Sequence, residues 1–153
     1  HTHIENFGGE KDNITIAGES AGSVIVSLLS MTEYAKGYYK RLIMQSGSAM
    51  WKLMDNELSV FQRSIAVAER LGCVNDSFKL EDQPNEAVEC MRGKDALTII
   101  KEEANLNPGS SSSFLPRYGD ELFPKNPREV LLEGGFEFQE LFIGNSGTEG
   151  AFK

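Results

Sequence analysis

The amino-acid sequence predicts an α/β protein, with a mostly parallel central sheet and helices on both of its faces. Short runs of apolar and β-branched residues, bounded by turn residues, are typical of buried strands. Segments with helical character separate these runs, and strands that alternate with helices favour a parallel sheet. The chain has 153 residues, of which 40% are hydrophobic, so it is long enough to bury one sizeable core.

Three short apolar runs predict the strands. The first covers residues 13–17, where β-branched residues follow a turn-rich stretch, and the second covers residues 42–44. The third, residues 141–144, is expected to be a last buried strand. Residues 24–29 form an apolar run between the first two strands, and we expect them to be helical.

An amphipathic helix is the clearest element of the second half. Its apolar residues recur at spacings of three and four, and Gly72 is expected to end it. Further helices are predicted after Pro84, after Lys94 and over residues 127–132, where a proline stands near the first turn. The apolar positions of the amphipathic helix are Leu58, Phe61, Ile65, Ala68 and Leu71.

The charge balance argues against one class of partner. The chain has 15 Lys and Arg against 23 Asp and Glu, a formal net charge of −8. Nucleic-acid binding needs a basic face, which this composition does not favour. No apolar run approaches membrane-spanning length, and no secretory leader is present. Because the chain opens on His1 without an initiator Met, we expect a segment truncated at both ends, and the sequence leaves a membrane anchor open.

Residues 18–22 fit the pattern G-x-S-x-G, with Ser20 at its centre. A nucleophilic serine must stand clear of the backbone, and a sharp turn from a strand into a helix places it there. Glycines on either side are expected to remove side chains that would collide in the turn. The helix that follows points its N-terminus at the reacting atoms, so the Ala21 N–H is a candidate oxyanion donor. The alternative is a Gly-rich helix start with Ser20 as an ordinary capping residue.

Three stretches together resemble the type-B carboxylesterase/cholinesterase family. They are residues 6–9 (N-F-G-G), residues 13–23 (N-I-T-I-A-G-E-S-A-G-S) and residues 39–48 (Y-K-R-L-I-M-Q-S-G-S). The resemblance implies an α/β-hydrolase fold, in which residues 1–153 are the central segment of a single domain. It also implies a serine carboxylic-ester hydrolase that acts on small-molecule esters through an acyl-enzyme on Ser20. Such an enzyme needs no metal and no organic cofactor.

A serine nucleophile requires a base and a carboxylate that orients the base. The turn-rich stretch from Gly144 to Glu149 is similar to the family's G-x-N-x-x-E-G block, shifted by one residue at its asparagine, so Glu149 is the expected acid. From position alone, Glu149 would be an exposed loop residue. The two histidines, His1 and His3, both precede the nucleophile, and chain order argues against either as the base. We therefore expect the catalytic His and the upstream oxyanion loop to lie outside this segment, and the isolated 153-residue chain to be inactive.

Cys73 and Cys90 are the only two cysteines of the chain. Taken alone, they fit either a disulfide or two reduced thiols. The family resemblance implies that they form a disulfide around a short surface loop, and hence a secreted or cell-surface enzyme. Asn75 begins a glycosylation sequon inside that loop.

The resemblance also assigns residues that line the site. It implies that Glu19 is buried beside the nucleophile, and that Ser46 lies close enough to Glu19 to form a hydrogen bond with Glu19. Trp51 is a further candidate for the lining, although a lone Trp is more often part of the core. Residues 110–113 are serines where acetylcholinesterases of the family carry bulky aromatic residues. That difference favours a wider acyl pocket and a general carboxylesterase.

Two other functions are also compatible with the sequence. One is a cholinesterase proper, whose choline site depends on residues outside this sequence. The other is a cholinesterase-like adhesion or binding protein without catalysis, although relatives of that kind usually lose the nucleophile and Ser20 is present.

Overall fold

A computed structural model describes residues 1–50, 55–108, 113–137 and 140–151. The chain forms two compact units, unit 1 (His1–Met54 and Tyr118–Lys153) and unit 2 (Asp55–Arg117). No helix of the described residues is both long and apolar enough to cross a bilayer. In chain order the strands and helices are β1 (Thr15–Glu19), α1 (Ala21–Leu29), β2 (Arg41–Gln45), β3 (Asp55–Asn56), α2 (Glu57–Arg70), α3 (Pro84–Arg92), α4 (Ala96–Ala104), β4 (Arg117–Tyr118), α5 (Pro127–Leu132) and β5 (Glu140–Gly144).

The central sheet of unit 1 is parallel. Its strands lie in the order β1-β2-β5, and Ala17, Ile43 and Phe142 are in register across it. Parallel strands need a crossover connection, and α1 supplies the one between β1 and β2. The predicted parallel sheet is therefore confirmed.

Helix α1 packs against one face of this sheet. Val26 of α1 is buried together with Leu42 and Met44 of β2. A second cluster on the same helix joins Val24 to Ala49, which follows β2. Because α1 begins directly after β1, this packing also fixes the turn that joins the two elements.

Strand β5 is exposed, although its apolar sequence predicts a buried strand. Leu141, Phe142 and Ile143 are all exposed, with Phe142 at 64%. Since β5 is the outer strand of the sheet, only its edge toward β2 is paired within the described part of the chain. Helix α1 packs mainly on β1 and β2. The apolar run at residues 141–144 therefore predicts a strand correctly, but burial of the strand also requires neighbouring elements that cover it.

Unit 2 is built mainly from helices α2, α3 and α4. Val67, Ala68 and Leu71 lie in its core, and α3 contributes Ala87 to the same cluster. The apolar stripe of α2 is buried only toward its C-terminal end, because Leu58 at the other end is 65% exposed. The core of unit 2 thus lies between the C-terminal part of α2 and helix α3.

The predicted disulfide is present in this core. Helix α2 is followed by Gly72, whose φ of +68° lies in the left-handed region that favours glycine. Cys73 comes next and is bonded to Cys90 of α3, with a Cα–Cα distance of 5.6 Å. The 17-residue separation encloses a loop that contains the exposed Asn75. The Asn75 side-chain oxygen accepts a hydrogen bond from the Ser77 N–H at 2.9 Å, which orders the start of the loop.

We expect the double substitution Cys73→Ala/Cys90→Ala to lower the free energy of unfolding of the full-length protein by roughly 3 kcal/mol. The reason is that the bond restricts a loop of this length in the unfolded chain. Urea unfolding measures the change, and the wild-type protein under reducing conditions is the matched control. An unchanged midpoint in both samples would contradict the expectation.

Candidate active site

Ser20 lies at the sharp turn between β1 and α1. Its backbone has φ 53° and ψ −119°, a conformation with positive φ that non-glycine residues rarely adopt. The Ser20 N–H donates to the Gln45 carbonyl at 2.9 Å, and the Ser20 carbonyl accepts from the Val24 N–H at 3.1 Å. The turn is thus held from both sides, by the end of β2 and by the first turn of α1.

Two glycines make this turn possible, and only one belongs to the expected pair. A Cβ at Gly18 would lie 2.3 Å from the carbonyl group of Gly22, and a Cβ at Gly47 would lie 2.5 Å from the carbonyl oxygen of Ser20. A Cβ at Gly22 would meet nothing within 4 Å. The expectation that both flanking glycines prevent a collision is therefore right for Gly18 and wrong for Gly22. The second close approach comes from Gly47, in the loop after β2.

We expect Gly18→Ala and Gly22→Ala to have opposite outcomes. Gly18→Ala should destabilise the full-length protein by about 3 kcal/mol or more, because the new methyl group overlaps backbone atoms that cannot move aside easily. Gly22→Ala should change the free energy of unfolding by less than about 1 kcal/mol, since its methyl group enters open space and alanine suits a helix. Thermal unfolding of the two variants compares them directly. Equal destabilisation by both would contradict the assignment of the close approach to Gly18.

Helix α1 begins directly after Ser20, so its N-terminus lies next to this residue in the chain. The first N–H groups of a helix have no acceptor within the helix, and the helix dipole adds partial positive charge there. Ala21 is the first residue of α1 and is exposed. The role of its N–H as an oxyanion donor stays a prediction.

A cavity of about 670 Å³ opens beside Ser20. Glu19, Ser20, Ser46 and Glu149 all line it, so four of the residues singled out from the sequence lie together. Ile143, at the end of β5, adds an apolar part to the wall. Because the strands are parallel, the carboxyl ends of β1, β2 and β5 meet at the same edge, and this edge forms the cavity.

Glu149 begins a short 3₁₀ turn, Glu149–Ala151, just past β5. Its Oε1 accepts hydrogen bonds from the Ser46 hydroxyl and from the Ser146 N–H, the latter at 2.9 Å. These two donors, the Ser46 hydroxyl first, hold the pKa of the Glu149 carboxyl below its ordinary value. The carboxylate is therefore ionised near neutral pH and held through Oε1.

Ser46 hydrogen-bonds to a different acid from the one expected. Its hydroxyl donates to Glu149 rather than to Glu19. Ser46 itself has a positive φ of 53°, and its N–H donates to the Gly144 carbonyl at 2.9 Å. This backbone turns the hydroxyl toward the loop after β5, which the family pattern alone did not indicate.

Glu19 lines the cavity but is exposed, although the resemblance implied a buried acid. Successive residues of a strand point to opposite faces. Ile16 of β1 packs on the side of α1, which places Glu19 on the opposite face of the sheet. No helix of the described residues makes extensive contact with that face, so the Glu19 carboxylate meets solvent.

Some candidates from the sequence lie elsewhere. Trp51 and residues 110–112 are outside the described residues, so their expected parts in an acyl pocket stay predictions. Ser113 is buried in unit 2, where its N–H donates to the Glu103 carboxylate at 2.7 Å. His1 packs edge-on against Tyr38 and is not among the residues that line the cavity. This placement agrees with the expectation that His1, which precedes the nucleophile, is not the base. The described residues contain no group of three or more Cys, His, Asp or Glu that could hold a metal.

Comparison with known proteins identifies the family of the chain. The model of the carboxylesterase family matches residues 1–153, the whole chain. The chain belongs to the carboxylesterase family. It is 32% identical to acetylcholinesterase-1 of Trittame loki and 36% identical to an acetylcholinesterase of Leptinotarsa decemlineata, over 99% and 95% of its length. It is also 33% identical to carboxylesterase 1C of Rattus norvegicus over 96% of its length.

Membership of the carboxylesterase family confirms the α/β-hydrolase fold indicated by the parallel sheet and by the turn at Ser20. The relatives named above are cholinesterases and a carboxylesterase, which are hydrolases of carboxylic esters. The chain spans 27%, 23% and 25% of these three relatives, about a quarter of their length. The family and the fold of the chain are thus established.

Sequence reasoning missed two residues that build the site. Ser23 is buried, and its hydroxyl donates to the Gly47 carbonyl at 2.6 Å. Gly47 packs closely under the Ser20 carbonyl. Both stand beside recognisable motifs, Ser23 directly after G-x-S-x-G and Gly47 at the end of Q-S-G. Their contact joins residues 24 positions apart, which no local pattern indicates.

Proposed function

We propose that this chain carries the nucleophile of a serine carboxylic-ester hydrolase, which works through an acyl-enzyme on Ser20. The observation that carries the proposal is the backbone of Ser20, a non-glycine residue with positive φ at a strand-to-helix turn. Strain of this kind costs stability and persists where the surrounding structure requires it. An ordinary capping serine at a helix start needs no such conformation, because capping residues usually have extended backbone angles.

The proposed ester hydrolysis has two stages, formation of the acyl-enzyme on Ser20 and its hydrolysis by water. The Ser20 hydroxyl attacks the carbonyl carbon of the ester while a base removes its proton, and the carbonyl oxygen becomes an oxyanion near the Ala21 N–H. The intermediate collapses, the alcohol leaves with the proton from the base, and the acyl group stays on Ser20. Water then attacks the acyl-enzyme in the same way and releases the acid. No metal or organic cofactor takes part in this scheme.

The base is proposed to be a histidine outside residues 1–153. The two histidines of the chain precede the nucleophile, whereas hydrolases of this fold place the base after the acid. Glu149 would accept a hydrogen bond from that histidine through the oxygen that Ser46 does not hold. The chain is then the central segment of a single α/β-hydrolase domain, and alone it would be inactive.

A general carboxylesterase is the favoured activity. The described cavity wall combines serine hydroxyls and the apolar Ile143 with the carboxylates of Glu19 and Glu149, so the wall alone does not separate a neutral from a cationic ester. The serines at positions 110–112 support a wide acyl pocket. A cholinesterase proper is the second candidate, because two of the relatives above carry the name acetylcholinesterase. A non-catalytic adhesion protein is disfavoured, since it would not need the strained backbone of Ser20.

An oxidising compartment is proposed for the protein. The chain has a disulfide between Cys73 and Cys90. Disulfides persist in secreted and cell-surface proteins and are rare in cytosolic proteins. Asn75 is exposed inside the loop that the disulfide closes, where an N-linked glycan could be attached. Both features support a secreted or cell-surface glycoprotein.

The test is covalent labelling of the full-length protein with a fluorophosphonate, followed by mapping of the labelled peptide. Such reagents react with an activated serine, so we expect a single adduct on Ser20. Choline and simple alkyl esters as substrates would then separate the two esterase candidates. Folded protein that takes up no label would overturn the proposal and favour the adhesion protein.

A further inference from the structure

The hydrogen bond of Ser23 belongs to none of the roles assigned so far. Ser23 lies in the first turn of α1, three residues after the nucleophile, and is 0% exposed. Its hydroxyl donates to the Gly47 carbonyl at 2.6 Å, across 24 residues of chain. Ser23 is not among the residues that line the cavity, so it cannot touch a substrate there.

The segment at residues 45–47, which comprises the last residue of β2 and the two residues after it, is the partner of this bond. We call it the linking loop, because it lies between the turn at Ser20 and the loop of Glu149. On one side the Gln45 carbonyl accepts from the Ser20 N–H at 2.9 Å. On the other side Ser46 bonds to both strand β5 and Glu149, through its N–H to Gly144 and through its hydroxyl.

The linking loop is held in a conformation that it would not adopt freely. Ser46 has a φ of 53°, which is costly for a residue with a side chain. Gly47 packs so closely under the Ser20 carbonyl that only glycine fits. A buried hydroxyl that donates to the Gly47 carbonyl therefore anchors the end of the loop to the helix that carries the nucleophile.

We propose that Ser23 is a positioning residue, which fixes the linking loop and thereby sets the placement of Glu149 relative to Ser20. It acts through Gly47 and Ser46 and never contacts the reacting atoms. The inference rests on the proposed esterase function and deepens it. Without the Ser23 hydroxyl the Gly47 carbonyl loses its donor, and Ser46 can leave its strained backbone angle. The hydrogen bond from Ser46 to Glu149 would then weaken.

The experiment compares Ser23→Ala with Ser30→Ala in the full-length protein. Ser30 follows α1, is 7% exposed, and donates to the Ser27 carbonyl at the same distance of 2.6 Å. Both variants remove a hydrogen bond of equal length that is donated by a buried serine, but only the bond of Ser23 reaches the linking loop. Ser23→Cys is a second test variant, since it fills nearly the same space and donates weakly.

We expect Ser23→Ala to lower kcat by between about 10- and 100-fold with little change in KM, as small displacements of reacting groups do. Ser30→Ala should unfold at a similarly reduced temperature and keep the kcat of the wild type. Hydrogen exchange at residues 45–47 should become faster in Ser23→Ala and stay unchanged in Ser30→Ala. In the background of Ser46→Ala the effect of Ser23→Ala on kcat should shrink, because both act through one contact.

The outcomes separate the inference from the function on which it rests. A catalytically active wild type, with Ser23→Ala and Ser30→Ala equal in kcat and in hydrogen exchange, would overturn the positioning role alone. Additive effects of Ser23→Ala and Ser46→Ala would overturn the route through Ser46. A folded wild type without esterase activity or fluorophosphonate labelling would overturn both the proposed function and this role.

Discussion

Ser20→Ala is expected to lower the kcat of the full-length protein by about 10⁶-fold, because removal of a serine nucleophile eliminates the covalent route. KM should change little, since the other residues of the cavity remain in place. Fluorophosphonate labelling of this variant should disappear as well. Initial rates with a simple alkyl ester measure the effect.

Ser64→Ala is the control for this substitution. The Ser64 hydroxyl donates to the Val60 carbonyl within helix α2 of unit 2, and Ser64 is not among the residues that line the cavity. Its rates should match those of the wild type. Substantial turnover by Ser20→Ala would mean that another group is the nucleophile and that the strained backbone of Ser20 serves some other purpose.

The substitution Glu149→Gln is expected to lower kcat by about 10⁴-fold, as neutral replacements of the orienting acid do in serine hydrolases. A glutamine preserves the shape of the side chain but cannot stabilise a protonated base. Loss of the negative charge should also lower the pKa of that base. The acid limb of the pH–rate profile should therefore move to lower pH in the variant.

Glu140→Gln is a closely matched control. Glu140 is also an exposed glutamate of unit 1 whose carboxyl pKa lies below its ordinary value, in its case because of Arg41, which donates to it at 2.7 Å. Glu140 differs from Glu149 in that its hydrogen bond with Arg41 lies on the sheet and not in the cavity. Wild-type activity of Glu140→Gln beside full activity of Glu149→Gln would refute the role of Glu149 as the acid.

The lowered pKa of Glu149 also has a consequence for stability. A carboxyl whose pKa is lower in the folded state contributes stability above its ordinary pKa and loses that contribution as the pH falls through the lowered value.

The lowered pKa of Glu149 also affects how the pH–rate profile is interpreted. Because the Glu149 carboxylate keeps its charge at and above the ordinary pKa of a glutamate, an acid limb in that range would report the base and not Glu149. The acid limb of the wild-type pH–rate profile is thus expected to report the pKa of the proposed base.

The sequence is most informative where local rules decide the structure. Helix α5 begins at Pro127 and ends at Leu132 as predicted, because proline favours a first turn and the following glycines end a helix. The strand–turn–helix around Ser20 follows from the spacing of two glycines and an apolar run. These features depend on residues within a few positions of each other.

The features that the sequence does not predict depend on contacts between distant segments. The partner of Ser46 is set by how the loops after β2 and β5 meet, so neither loop alone indicates it. The exposure of Glu19 and of β5 depends on what covers the sheet, which an apolar pattern does not specify. Gly47 is required by the Ser20 carbonyl, and its contact arises only when β1 and β2 pair.

The exposed strand β5 has a practical consequence for handling the chain by itself. Leu141, Phe142 and Ile143 form a short, uncharged apolar stretch on a strand with one open edge in the described part of the chain. Such edges pair readily with the same edge of another molecule, which is a common start of aggregation. Residues 1–153 produced alone are therefore expected to self-associate through β5, despite a net charge of −8 that would otherwise keep the molecules apart in solution.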